Sequence, residues 1–370
     1  MNSLLQLLSQ FGNLLQKQLF PVLEEATGEL GEGHQRFVGI LSLLQLDRFT
    51  ASQSGPGRRP ASRANIARAF VAKAVLDIPM TNALRDRLVS DPALRGLCGW
   101  QHAGEVPGKW TFSRAFQEFA ESELPQRVHE ALIQQAYQDR LVGHISRDAT
   151  AIEAREKAQP SRAPKKPSRK KNRKPEEMSR IERQLLPGTT LAHMIKDLPG
   201  VCDKGCKTNS KGSKEWWIGY KLHMDVGDGE VPLSCILTSA SVHDSQVAIP
   251  LATMSANRVT NLYDLMDRGY QSQHIVAHSR GLGHVPIIDR QKSTGAEAPV
   301  MAPHEQVRFR ERTTVERVNS ALKEGFGGRY VRVRGHAKVM AHLMFGVLAL
   351  TVDRLLRTCP TESDPQPATA

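Results

Sequence analysis

Apolar residues recur at helical spacing over the first 50 positions. Leu4, Leu5, Leu7, Leu8, Phe11, Leu14 and Leu15 form one stripe, and a second runs from Val38 to Leu46. Positions 51–62 (ASQSGPGRRPAS) read as a linker. Four amphipathic segments follow, at 64–76, 81–90, 113–121 and 125–142, broken by Pro79, Pro92 and Pro107. They predict an all-α domain over 63–142, with Thr111 or Ser113 as an N-cap. The pattern then changes to short runs rich in β-formers: 141–147 ending on Asp148, 216–226, 231–240 across a Gly-Asp-Gly turn, 261–266 ending on Asp267, and 284–289. Helices are predicted near 272–280, at 313–323 and at 338–357. The polar, Pro-rich segment 358–370 reads as a disordered tail. Strands alternating with helices over 143–357 predict an α/β domain.

The chain has 370 residues and a formal charge of +12. A basic balance of this size favours a polyanionic partner, most simply nucleic acid. Much of it lies in 162–174 (RAPKKPSRKKNRK), which has no acid and includes Lys165, Lys166, Arg169, Lys170 and Lys171. Uncompensated cations repel each other unless an anion is near, so this basic loop is a candidate phosphate contact; a solvated linker is the plainer reading. No stretch is long and apolar enough to predict a membrane span, and positions 1–15 lack a signal-peptide layout. Five sparsely spaced cysteines make a disulfide framework improbable and point to a reducing, cytosolic setting.

The most informative spacing is R-x3-E-x6-K, formed by Arg312, Glu316 and Lys323. On a helix turning about 100° per residue these three share one face, while Val315, Val318 and Leu322 point inward. An i,i+4 ion-pair ladder has the same spacing. Asp148 and Asp267 each follow a β run, and strand ends are where α/β folds place chemistry. Three converging carboxylates would repel unless divalent cations joined them, and hard oxygen ligands suit Mg2+ or Mn2+. Two such ions can activate a water or a 3′-hydroxyl.

With these residues in view the chain resembles the DDE transposases of bacterial insertion sequences, of the IS4/IS5-type superfamily. The resemblance rests on SRDAT at 146–150, GYKLHMDV at 219–226, ASVHDSQ at 240–246, MDRGYQS at 266–272 and the R-x3-E-x6-K run. It spans about 63–357. The family's fuller signature is Y-x2-R-x3-E-x6-K, and here Phe309 stands at the tyrosine position. The resemblance implies an RNase H-like five-stranded mixed sheet with flanking helices over 143–357, preceded by the all-α domain. It implies Asp148, Asp267 and Glu316 as catalytic ligands of two Mg2+ ions (Mn2+ as substitute), with Arg312 and Lys323 on phosphate. Partners would be the element's terminal inverted repeats and target DNA, in a bacterial, nucleoid-associated protein. The N-terminal leucine stripe is read first as buried against 63–142 and second as a homodimer surface. Two alternatives stay open: an idle DNA-binding derivative, and an RNase H-like nuclease without strand transfer.

Neighbouring residues carry plainer expectations. Asp264 is a weaker ligand candidate than Asp267, because strand alternation turns it elsewhere. Asp203 and Asp225 are further acids in polar contexts, Asp244 is read as an N-cap, and His223 as a structural partner. Cys202 and Cys206 lack a second pair at zinc spacing. Trp216 and Trp217 read first as core or edge residues and second, with nothing else in the sequence to support it, as stacking partners of an unpaired base during strand transfer. DNA-end recognition is expected in 58–68 and in the helix at 113–142.

Overall fold

The computed structural model describes residues 30–50, 60–159, 178–208, 212–289 and 300–358. The leucine stripe at 4–15, most of the linker, the basic segment with Lys165, Lys166, Arg169, Lys170 and Lys171, and the tail from 359 lie outside the described residues.

In chain order the helices and strands are α1 Glu32–Leu43, α2 Arg63–Val75, α3 Thr81–Ser90, α4 Pro92–Leu97, α5 Lys109–Glu121, α6 Leu124–Tyr137, β1 Leu141–Glu153, α7 Arg180–Gln184, α8 Leu191–Lys196, β2 Asp203–Thr208, β3 Lys214–Gly227, β4 Val231–Ser239, α9 Ser245–Ala256, β5 Thr260–Met266, α10 Gln273–Gly281, β6 Val285–Ile288, α11 Pro303–Phe309, α12 Thr313–Gly325 and α13 His336–Arg357. Two boundaries differ from the sequence reading. Helix α5 starts four residues early, on an N-cap at Gly108 with no side-chain cap bond, so Thr111 and Ser113 lie inside it. Helix α6 stops at Tyr137, and Leu141 and Val142 already belong to β1.

The chain divides into two compact units. One holds the described residues up to Ala136 together with Ala321–Arg332 and those from Ala337 on; the other holds Tyr137–Ser320 and Val333–His336. In the helical unit α13 lies deep in the core. Phe345 packs within 5.6–6.4 Å of the rings of Phe70, Phe116 and Phe119. This helix is long and apolar enough to cross a membrane by length and composition, but 83% of that stretch is buried within the protein. A helix apolar on nearly every face needs neighbours on every face, and here α2 and α5 supply them. Arg63 and Arg68, expected to face DNA, are engaged within the unit, with Glu118 at 2.8 Å and Asp47 at 2.6 Å.

The second unit is α/β, built on a mixed sheet in the order β2-β3-β1-β5-β6, with β4 also pairing β3. Strand β3 pairs antiparallel with β2 over Lys214–Gly219 and with β4 over Tyr220–Gly227. At the changeover, a Cβ on Gly219 would collide with the backbone oxygen of Ile152, so only glycine lets the strands approach there. Setting β2 aside, β4, β3 and β1 run antiparallel while β5 and β6 run parallel to β1. This is the RNase H-like arrangement, with one strand more than expected. The addition, β2, is a short polar run, K-G-C-K-T after Asp203, without the apolar alternation that marks a strand.

Candidate active site

The two aspartates owe their proximity to register. Strands β1 and β5 pair in parallel from Leu141↔Thr260 to Arg147↔Met266. The next residues are Asp148 and Asp267, level with each other on strands about 4.8 Å apart. Asp148 does not end its strand, as the short apolar run suggested: β1 continues to Glu153 against β3. What ends at Asp148 is the pairing with β5, which opens the sheet on that side. Asp267 turns out of β5, and its Oδ1 accepts the backbone N–H of Gly269 at 2.8 Å. A side chain at Gly269 would crowd that oxygen.

Glu316 reaches the same place on α12. Val315, Val318 and Leu322 on this helix are fully buried, as the spacing predicts, which turns Glu316 outward with its side chain 54% exposed. The Ser146 hydroxyl, two residues before Asp148, donates to the carbonyl of Glu311 at 2.9 Å. It ties the turn before α12 to β1. Arg312 sits in that turn rather than on the helix. Its guanidinium donates to Glu316 Oε1 at 2.6 Å and lies 3.8 Å from Asp267 Oδ2. Asp148 is also within its electrostatic reach. Three carboxylates from three separate segments thus converge on one cation. Arg312 Nε is itself buried with no hydrogen-bond partner. Lys323 lies in the last turn of α12, about two turns beyond Glu316 on the same helix.

Burial pushes the Asp148 carboxyl up to about 6. The Ala149 N–H and Arg312 oppose this, while Asp267 and Asp244 add to it. A folded-state value above the unfolded 3.8 means the native state holds this proton more tightly. The resulting stability is complete below about pH 4 and is lost as pH rises through 6. At about 1.4 kcal/mol per unit the loss is on the order of 2 kcal/mol after allowance for solvent screening. In EDTA, Asp148→Asn is therefore expected to melt above the wild type at pH 7 and level with it at pH 4. Equal melting temperatures at both pH values would show that Asp148 is not strained by burial.

Behind the site lies a layer that sequence reasoning missed. Strand alternation turns Arg147 to the face opposite Asp148. There it is fully buried and makes two bonds to Asp225, at 2.7 and 2.8 Å, with the Ser255 hydroxyl donating to Asp225 at 2.7 Å. Asp264 belongs to this layer too. Burial opposes its charge, but bonds from His284 and Ser279 and the charge of Arg147 outweigh that and hold its carboxyl near 2. Its adjacency to Asp148 in SRDAT was the available signal for Arg147, and a buried partner could not be named without the fold.

Asp244 stands at the N-cap position of α9, but its side chain makes no cap bond. Oδ1 instead accepts from the Lys221 ammonium at 2.9 Å, a charge-assisted bond that outcompetes a neutral N–H. His223 is a structural partner: buried, depressed by that burial to about 4, and bonded to Thr238 at 2.9 Å. The Tyr270 hydroxyl is buried without a hydrogen-bond partner, and its ionisation is pushed well up by burial and by Asp244, Asp148 and Asp267. Among the described residues Cys98, Cys202, Cys206 and Cys235 are free.

Among the described residues no three His, Cys, Asp or Glu side chains stand close enough together to hold a metal ion. By donor chemistry the site nevertheless fits a hard divalent cation. Its three converging groups are carboxylates, and they already share one positive charge, Arg312.

No curated protein and no solved structure matches this chain. A family model described as the transposase DDE domain matches residues 144–352, which is more than half of the chain and includes Asp148, Asp267, Arg312, Glu316 and Lys323. The chain belongs to the transposase DDE domain family.

Proposed function

We propose that this protein is a DNA transposase of the IS4/IS5 type. It cuts the ends of its own element and transfers the 3′-hydroxyl to target DNA by in-line attack on a phosphodiester. One observation carries the reading: Asp148, Asp267 and Glu316 converge on Arg312 inside the stretch that the family model matches.

Asp148, Asp267 and Glu316 are the residues that would hold two Mg2+ or Mn2+ ions. Bound there, such ions would supply activation of the attacking hydroxyl and stabilisation of the leaving oxygen. The chain's own contribution is position and charge. The parallel register of β1 and β5 sets the spacing of the two aspartates, and the Gly269 N–H fixes the rotamer of Asp267. Arg312 screens the mutual repulsion of the three acids, and with Lys323 it would meet the non-bridging oxygens of the scissile phosphate.

The basic segment 162–174 is assigned to the DNA backbone. Neutralising Lys165, Lys166, Arg169, Lys170 and Lys171 together is expected to flatten the dependence of log K on log salt by about 4 to 5, at roughly 0.9 per lost phosphate contact. A titration series in potassium chloride measures this; an unchanged slope would place the segment in solvent. The reading includes a cytoplasmic, nucleoid-associated protein, with a homodimer through the N-terminal leucine stripe as the second use of that stripe after burial against 63–142.

The test is a cleavage and strand-transfer assay with DNA carrying the sequences that flank the gene, in Mg2+ or Mn2+. Metal-dependent joining supports the transposase reading. Cleavage without joining would favour a nuclease, and binding without cleavage an idle derivative.

A further inference from the structure

Tyr270 closes the short helical turn Arg268–Tyr270 that follows β5. Asp267 holds that turn twice: its carbonyl accepts the Tyr270 N–H at 3.1 Å, and its Oδ1 accepts the Gly269 N–H at 2.8 Å. The turn therefore starts level with Asp148, where the pairing of β1 with β5 stops. Tyr270 is 1% exposed, and its ring packs among Met194, Ala248, Ile249, Met266 and Ile275. That packing accounts for an aromatic ring but not for a hydroxyl. The oxygen is buried with no hydrogen-bond partner among the described residues. Phenylalanine would fill the same core without desolvating a polar group that nothing pairs. An orphaned buried hydroxyl is rare in a native fold and calls for a reason outside packing.

The reason lies in what surrounds it. The charges of Asp244, Asp148 and Asp267 all act on the hydroxyl, and with burial they hold its proton in place, so the group is a donor and not a base. The three acids differ in what they already hold. Asp244 accepts from Lys221 at 2.9 Å. Asp267 accepts from Gly269 and faces Arg312 at 3.8 Å. Asp148 has the N–H of its neighbour Ala149 and, among the described residues, no side-chain donor. An ionised carboxylate offers about four lone-pair positions, so Asp148 is the acid with the most left open.

We propose that Tyr270 is a positioning residue of the carboxylate centre: its hydroxyl donates to Asp148 and fixes the orientation in which Asp148 meets a divalent cation. The assignment rests on the transposase reading and adds to the centre a residue that reading does not use. Carboxylates that bind metal are themselves oriented by hydrogen bonds, and losing such a bond weakens metal binding by about 10–100-fold. In the metal-free fold the same hydroxyl stabilises nothing, so removing it separates metal binding from folding.

The test compares the full chain as wild type, Tyr270→Phe and Asp267→Ala. Mn2+ affinity is measured by electron paramagnetic resonance, and melting temperature in EDTA. Tyr270→Phe is expected to bind Mn2+ about ten-fold more weakly than the wild type while melting at or above it. An unchanged Mn2+ affinity overturns the positioning role. A melting temperature well below the wild type's also overturns it, by showing that the hydroxyl is bonded within the fold. Asp244→Asn checks the acceptor: in that background Tyr270→Phe should still cost about ten-fold in affinity. A vanished difference would move the bond to Asp244 and overturn the assignment to Asp148. Asp267→Ala tells the two levels apart. If it loses Mn2+ while Tyr270→Phe matches the wild type, the carboxylate centre stands and only the role of Tyr270 fails. If it binds Mn2+ like the wild type, or the wild type binds none, the metal centre fails and the role of Tyr270 with it.

Discussion

Alanine at Asp267 is expected to lower cleavage of element-end DNA by at least about a thousand-fold and to leave affinity for the same DNA within about three-fold. The first figure follows from losing a ligand whose cation would supply several kcal/mol in the transition state, at about 1.4 kcal/mol per power of ten. The second follows from charge. Asp267 lies 3.8 Å from Arg312, so removing it leaves the guanidinium less neutralised and the surface around it more positive. Asp148→Ala and Glu316→Ala should behave alike, because each removes an acid rather than a cation. The control is Asp264→Ala, three residues upstream. Its carboxylate holds His284, Ser279 and Asn261 in the core, so its loss should appear as a lower melting temperature. Single-turnover cleavage, anisotropy and thermal melting on the same preparations separate these outcomes. An Asp267→Ala enzyme with full cleavage would remove Asp267 from the site.

Arg147→Ala should destabilise the α/β unit by about 3–5 kcal/mol, because it strands the fully buried Asp225 carboxylate. For a unit of this size that corresponds to a fall of about 6–20 °C in melting temperature. The buried pair is not required for stability as such: desolvating two charges costs about as much as their attraction returns. The double variant Arg147→Met, Asp225→Leu should therefore melt well above Arg147→Ala and near the wild type. If both singles melt within about 1 kcal/mol of the wild type, the pair is not the strut of this sheet. The effect on activity is expected to track folding, since Arg147 and Asp148 point to opposite faces of β1 and the pair fixes the strand that carries Asp148.

The carboxylate centre could be read from the chain because its parts have local signatures. Val315, Val318 and Leu322 fix the buried face of α12, which fixes where Glu316 points. Apolar β runs ending near Asp148 and Asp267 mark the strands. The motif set DRGY, SRDAT and R-x3-E-x6-K gave a family, and the family model agrees over 144–352. Asp244 was misread for a physical reason: an N-cap is the local default for an aspartate before a helix, whereas the bond it makes is to Lys221, 23 residues away on β3.

The amino-acid order by itself determined what repeats at short range: the helical period of the first domain, the alternation of the main strands, the buried stripe of α12 and the +12 charge. Tertiary structure alone decided what depends on register and on distant partners. It set Asp148 level with Asp267 through parallel pairing and drew Arg312 onto the acids. It buried Arg147 against Asp225, gathered α13 with the N-terminal helices and left Trp216 exposed on a hairpin that has no apolar alternation. The reason is common to all of these. Hydrophobic period is a property of neighbours in the chain, while the pairing of a charge or the covering of a ring depends on which remote residue arrives there first in space.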